Sequence, residues 1–358
     1  MNKFVLSVAA VLALTGAASA ADMKLKAVKA PPPVVVSPWD IAFGAALMND
    51  YVFRGITQSN HKPSVAGYFE GRYNFSDSLQ AYLGTAGESI SFANRAAAEI
   101  DVYGGIRPTF GAWAFDFGGW AYLYPGGTCF NAAAAPGSGI PGSGVDCIVN
   151  GNLPGTGIIT AANGNVIKRD NNYFEVYGKV VWTINDMWAL GANEYYSPKF
   201  SNSSFAGFLN SGAWGNYASG TAKFTAPTAW FGTSGVGMYV SGEFGRQWLG
   251  TSDAFYGVAP TIFVPGVPAA YAFGIPYKSY NTWNAGLGFT WKVFTLDARY
   301  SDTNLSKANC NAFTSDWTAG FGTPANANLI NPNGSGSKWC GATGIVKLSV
   351  DTTVNALK

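Results

Sequence analysis

The sequence predicts an all-β fold: a transmembrane, antiparallel up-and-down β-barrel of about twelve strands. Three observations lead there. Apolar and polar residues alternate with a period of two through most of the chain after residue 38, which sends successive side chains to opposite faces of a strand. Charge is sparse, at 12%, while glycine (45 of 358) and aromatic residues (15%) are abundant. The connections between alternating segments run long, short, long, short, as in a barrel with long outer loops and tight periplasmic turns. The composition also excludes other classes. A disordered chain would be charged and poor in aromatics. A helical membrane protein would need apolar runs of about 20 residues. The near-neutral balance of 22 bases and 20 acids argues against a nucleic-acid partner.

Met1–Ala20 has the parts of a secretory signal: Lys3, an apolar stretch from Phe4 to Leu14, and the small residues Ala18-Ser19-Ala20. Ala21–Pro38, with Lys24, Lys26, Lys29 and Pro31-Pro32-Pro33, reads as an extended periplasmic leader. The barrel then occupies residues 39–358. Its strands are expected at Trp39–Met48, Ser64–Phe75, Leu79–Ile90, Ala98–Pro108, Ala112–Tyr124, Asn172–Ile184, Met187–Ser197, Gly220–Phe231, Val236–Leu249, Tyr280–Lys292, Phe294–Leu305 and Gly344–Asn355. Most have the 10 or so residues that a tilted strand needs to cross a bilayer. Pro227 interrupts the eighth, since proline cannot donate to a ladder. An even strand number returns both ends of the barrel to the periplasm. Trp39, Phe75, Trp113, Trp182, Trp188, Trp230, Trp291 and Phe294 all lie beside short turns on the apolar parity, which predicts a periplasmic aromatic girdle. Glu194, Arg246 and Asp302 have the outward parity but fall near outer strand ends, where a charge costs little.

Four cysteines in an exported chain suggest two disulfides, with three possible connectivities. Cys129 and Cys147 share one long loop and Cys310 and Cys340 another, so two local pairs, Cys129–Cys147 and Cys310–Cys340, are expected. No Cys-x-x-Cys occurs, and no metal site or cofactor is expected.

Asp50-Tyr51-Val52-Phe53-Arg54-Gly55-Ile56-Thr57-Gln58-Ser59 resembles the signature near the start of the TorF family of porins, a group of Gram-negative outer-membrane proteins. Tyr195-Tyr196-Ser197-Pro198, the strand from Phe294 to Leu305 ending before Cys310, and Cys340 ahead of the last strand fit the same pattern. The resemblance implies an outer-membrane barrel from Trp39 onward. The chain departs from the pattern in ending on Leu357-Lys358 instead of an aromatic, and in longer loops after Pro125 and Gly250.

In such a barrel the inward charges define the field of the lumen. By parity the inward acids are Asp40, Glu70, Glu99, Asp101, Asp116, Glu175, Glu243, Asp297 and Asp351, and the inward bases are Arg72, Arg107, Lys179, Lys223, Lys292, Arg299 and Lys347. Cross-strand pairing of these groups, such as Asp297 and Arg299 with Lys347 and Asp351, would hold the wall. A wetted lumen with weak selectivity, slightly favouring cations, is the functional expectation. Twelve strands lie between filled eight-strand barrels and open sixteen-strand porins, so the channel should be narrow or partly plugged. Arg54, with Asp50, Tyr51, Phe53 and Gly55 around it, is expected either to reach a carboxylate on the wall and fix the first loop or to line the mouth.

His61 is the lone histidine. It could serve a Ser-His or Asp-His hydrolase, but no second motif supports catalysis. Ala254–Tyr277 carries no charge and is broken by Pro260, Pro265, Pro268 and Pro276; it reads as an outer loop folding over the mouth or as a contact surface. Pro136 to Gly144 lacks the Lys-Ser/Thr of a phosphate loop. The expected function is passive diffusion of ions or small solutes, not enzymatic. The partners are outer-membrane lipid, the solutes themselves and the barrel-assembly machinery. The alternative is a structural or adhesive barrel with a closed lumen and functional outer loops.

Overall fold

A strand with one apolar and one polar face satisfies both when its sheet closes, because one face then lines an interior and no edge keeps unpaired backbone groups. The computed structural model of this chain is closed in this way. It describes residues 38–92, 96–127, 130–131, 166–167, 171–198, 212–252, 276–316, 318–319 and 334–357. Twelve antiparallel strands form the barrel. They are β1 (Trp39–Met48), β2 (Ser64–Ser76), β3 (Leu79–Glu88), β4 (Glu99–Phe110), β5 (Trp113–Leu123), β6 (Tyr173–Thr183), β7 (Trp188–Ser197), β8 (Gly215–Thr225), β9 (Val236–Leu249), β10 (Tyr280–Trp291), β11 (Phe294–Thr303) and β12 (Thr343–Thr353). Each pairs with its neighbour in chain order, and β12 closes the ring on β1, with Thr353 opposite Ala42. Short turns and residues 38 and 357 lie at one end; the long connections lie at the other. The expected signal, the leader up to residue 37, the Cys129–Cys147 pair and most of Ala254–Tyr277 fall outside the described residues.

The largest difference from the sequence reading is in the eighth strand. It runs from Gly215 to Thr225, not from Gly220 to Phe231. Pro227 ends the ladder by removing its N–H donor, and Thr228–Phe231 wind into a 3-10 turn. The strand is made up at its other end, where Tyr217 continues the inward parity and is 3% exposed.

The burial pattern is the reverse of a soluble protein's. Neighbouring residues show it: Phe69 is 51% exposed and Glu70 3%; Phe117 is 47% exposed and Asp116 2%; Leu296 is 46% exposed and Asp297 4%. Carboxylates are rarely this buried unless they are paired inside a polar interior. All eight girdle aromatics, from Trp39 to Phe294, stand exposed at the short-turn end. An apolar exterior with aromatics at its rim is matched to lipid. The protein is a bacterial outer-membrane β-barrel that crosses its membrane with strands; among the described residues no helix is long and apolar enough to do so.

The abundance of glycine has a packing cause. Tyrosine rings on the inner wall lie flat over glycines of adjacent strands. A Cβ on Gly84 would come within 2.6 Å of the Tyr103 ring, and one on Gly245 within 2.6 Å of the Tyr217 ring. Tyrosines stacked over glycines in this way narrow the interior.

Candidate channel lumen

The connection after β1 turns inward and plugs the lumen. Val52–Phe53 and Ile56–Thr57 form a two-residue hairpin. Its turn is Arg54-Gly55, both left-handed (φ 47° and 80°). Gly55 is required twice over, by that φ and by the Thr282 and Thr303 side chains that a Cβ would strike. Asp50 organises the loop. Its carboxylate accepts from Thr57 Oγ1 (2.5 Å), Ser59 Oγ (3.0 Å), His61 Nδ1 (2.7 Å) and Thr343 Oγ1 (3.3 Å). Ile56 is fully buried as a result.

Arg54, at the tip, crosses to the far wall. Its guanidinium donates to both Glu175 oxygens on β6 (2.8 and 2.7 Å) and to Gln247 Oε1 on β9 (3.1 Å). Its Cζ lies 4.6 Å from the Phe53 ring, 4.8 Å from Tyr195 and 4.5 Å from Tyr217. Tyr122 Oη donates to Glu175, and Tyr280 Oη to the Arg54 carbonyl. A bidentate, aromatic-caged arginine is a strong and geometrically specific anchor.

A second loop covers the plug. Helix α1 (Lys307–Thr314) starts at Ser306, whose hydroxyl accepts from the Asn309 amide. The disulfide Cys310–Cys340 joins the helix to the segment before β12. That segment sits on the plug: Thr57 N–H donates to the Trp339 carbonyl (3.0 Å), and Trp339 Nε1 donates to Asn60 Oδ1 (2.9 Å). Phe313 packs on Tyr277 and Tyr280.

His61 stitches the two loops together. One ring nitrogen faces Asp50 Oδ2 at 2.7 Å and the other the Lys338 carbonyl at 3.2 Å. Its pKa is raised, first by the hydrogen bond to Asp50, against a smaller opposing effect of burial. Both nitrogens are engaged, and the Ser59 hydroxyl lies between two acceptors, the Lys62 carbonyl (2.7 Å) and Asp50 Oδ1 (3.0 Å), instead of facing the ring. In this arrangement no free imidazole nitrogen is available to activate a nucleophile.

Deeper in the lumen, charged groups form two clusters. On β2–β5, Glu70 accepts from Arg72 (2.6 Å) and bidentately from Arg107 (2.7 and 3.0 Å), and Arg107 also approaches Asp116 at 3.4 Å. Tyr82 donates to Asp116 and also meets Tyr177. On β9–β11, Arg299 holds Asp297 (3.1 Å), while Asp297 accepts from Tyr239 and Glu243 accepts from Tyr217 and Asn284. Lys347 on β12 is the register partner of Asp297. Lys179 lies over Tyr177 and Lys223 over Tyr239, while Glu99 and Asp101 are buried near the outer end of β4. Asp351 is buried but both its oxygens lack a hydrogen-bond partner among the described residues, so its expected cross-strand pairing with Arg299, which turns to Asp297, Asn284 and Ser241 instead, does not form. Asp40 is half-buried at the short-turn end, where it accepts from the Asn355 amide. Lys292 is a correction: it lies exposed in a turn (φ 54°), its ammonium 4.6 Å from the Trp291 ring, because the left-handed backbone rotates it out of strand parity. Against the plug is a cavity of about 190 Å³, lined among others by Arg54, Glu88, Asp101, Glu243, Asp297, Arg299 and Lys347.

Several lumen groups were not singled out from the sequence. The inner tyrosines Tyr82, Tyr103, Tyr177, Tyr195, Tyr217 and Tyr239 are as prominent as the charges. Their parity on the polar face was the available signal. Glu88 and Gln247 shared that parity but lay near strand ends.

A family described as a bacterial protein of unknown function (Gcw_chp) matches residues 34–136, a stretch that includes the plug and the Asp50–Ser59 run. The TorF resemblance stands on its motifs alone. No curated protein matches the chain. Among solved structures, the toluene transporter TodX of Pseudomonas putida is similar at 12% identity and a TM-score of 0.41, with 90% of each chain covered. An outer-membrane channel from Pseudomonas putida F1 is 10% identical, with a TM-score of 0.38, over 91% of this chain and all of that one. LpxR from Salmonella typhimurium is 7% identical, with a TM-score of 0.39, over 87% of this chain and 99% of that one. Superpositions this loose carry no argument about solute or mechanism.

Proposed function

We propose that this protein is an outer-membrane channel for passive diffusion of ions and small solutes, held shut at its outer mouth by its own first loop. The observation that carries the reading is the polar, charge-lined cavity against the plug. A barrel serving only as a scaffold gains nothing from burying so many ionised groups, which are costly unless paired or wetted. The tip of the plug is one short hairpin turn anchored through Arg54, so releasing that tip widens the passage beneath the loop that covers it. Acids outnumber bases on the inner wall, which favours cations weakly. The test is conductance of the purified, folded protein in planar bilayers. Discrete openings with a modest cation preference are expected. A permanently silent barrel, in the wild type and with the plug tip released, would falsify the channel reading.

A second reading has its own observation. The disulfide-tied α1 segment lies over the plug, and a mouth covered twice suits a closed barrel whose outer loops bind a surface partner. Silence in bilayers together with loop-dependent binding to cells favours it.

A further inference from the structure

Three carboxylates meet at the outer end of the lumen, where β3 ends and β4 begins. Ladder pairing sets Glu88 directly opposite Glu99, and Asp101 follows on the same face of β4. One oxygen from each residue lies within 4.8 Å of those of the other two, and the residues are 5%, 2% and 3% exposed. Glu99 is oriented by two phenols, Tyr51 Oη at 2.6 Å and Tyr124 Oη at 2.8 Å. The other two are not satisfied in this way. Glu88 Oε2 and Asp101 Oδ1 are enclosed and have no hydrogen-bond partner among the described residues. Among the described residues no Lys or Arg pairs with any of the three, whereas Glu70 has two arginines, Glu175 has Arg54 and Asp297 has Arg299.

Buried like charges without a counter-charge are strongly unfavourable. Either protons or a cation must relieve them, and the donor set favours a cation. Oxygen-only carboxylate ligands suit a hard divalent ion, and three such oxygens within 4.8 Å of one another can converge on one ion of the calcium class. We propose that Glu88, Glu99 and Asp101 form a divalent-cation site of the calcium class. Tyr51 and Tyr124 orient Glu99 from behind, as outer groups do around metal ligands. Glu88 and Asp101 also line the internal cavity, which gives the ion and its waters access. Tyr51 belongs to the plug, so an ion here ties the plug to the wall. The site stands independently of whether the barrel conducts.

The test uses the folded chain in detergent micelles, stripped with EDTA and titrated with Tb³⁺, with excitation through nearby tyrosines and tryptophans. Saturable luminescence that Ca²⁺ displaces is expected, together with a Ca²⁺-dependent rise in Tm. Glu88→Gln and Asp101→Asn should each weaken Tb³⁺ and Ca²⁺ binding at least about tenfold. Both remove repulsion, so the stripped variants should be at least as heat-stable as stripped wild type, a result that a misfolded variant cannot give. Glu194→Gln, on the lipid-facing side, should bind like wild type. The proposal is overturned by absence of saturable binding, by equal binding in the Glu88 and Asp101 variants, or by a stability that responds to protons but not to Ca²⁺.

Discussion

Replacing Arg54 with alanine tests the plug most directly. The substitution removes the bidentate contact to Glu175, the bond to Gln247 and the contacts with three aromatic rings. It also strands Glu175, 2% exposed, which keeps the Tyr122 hydroxyl as a donor among the described residues. Breaking a buried pair by deleting one partner costs about 3–5 kcal/mol, mostly because the remaining charge is left uncompensated. If that cost falls on the inserted conformation, the ratio of inserted to released plug drops by roughly two to three and a half powers of ten. The Asp50 hub, the Tyr51–Glu99 bond and the Thr57–Trp339 bond remain, so the barrel should fold and only the tip should release. Single-channel recording in planar bilayers reads the effect as a large rise in open probability at unchanged ion preference. Arg54→Ala combined with Glu175→Gln should open less than Arg54→Ala alone, because the stranded charge is gone. A folded Arg54→Ala barrel with the open probability of wild type would refute the latch.

His61 has a pKa raised above the ordinary value of 6.5, so its contribution to holding the plug against the Lys338–Trp339 segment is complete below that value and is lost as pH rises through the raised pKa. A neutral ring can donate only one of its two hydrogen bonds. Hydrogen exchange at the Thr57 amide should therefore accelerate as pH rises beyond the intrinsic base-catalysed trend, and His61→Gln should abolish that excess; an equal excess in the variant would remove His61 from the clamp. On the outer face, Phe69→Arg should destabilise the barrel by about 2–4 kcal/mol if Phe69 sits near the bilayer midplane. Denaturant unfolding in lipid vesicles measures it, and a neutral result would contradict the lipid-facing assignment of the exposed apolar side chains.

Much of this was legible in the chain because strand parity is a local property. Each residue's face is decided by the one before it, so Phe69 and Glu70, Phe117 and Asp116, and Leu296 and Asp297 could be assigned to opposite sides without knowing the fold. The same alternation located eleven strands closely and recognised all twelve. It failed where the backbone left the strand period: at Pro227, which ended β8 early, and at Lys292, which a left-handed turn rotated outward. Contacts across the lumen were beyond it. Arg54 and Glu175 are separated by 121 residues, and Glu88, Glu99 and Asp101 meet only because β3 and β4 pair in one particular register. Sequence spacing carries the period of a strand and the length of a loop, and these were enough to determine a lipid-facing cylinder. Which loop enters that cylinder, and which wall group it grips, was decided only by closing the ring, because closure brings groups far apart in the chain to within hydrogen-bonding distance.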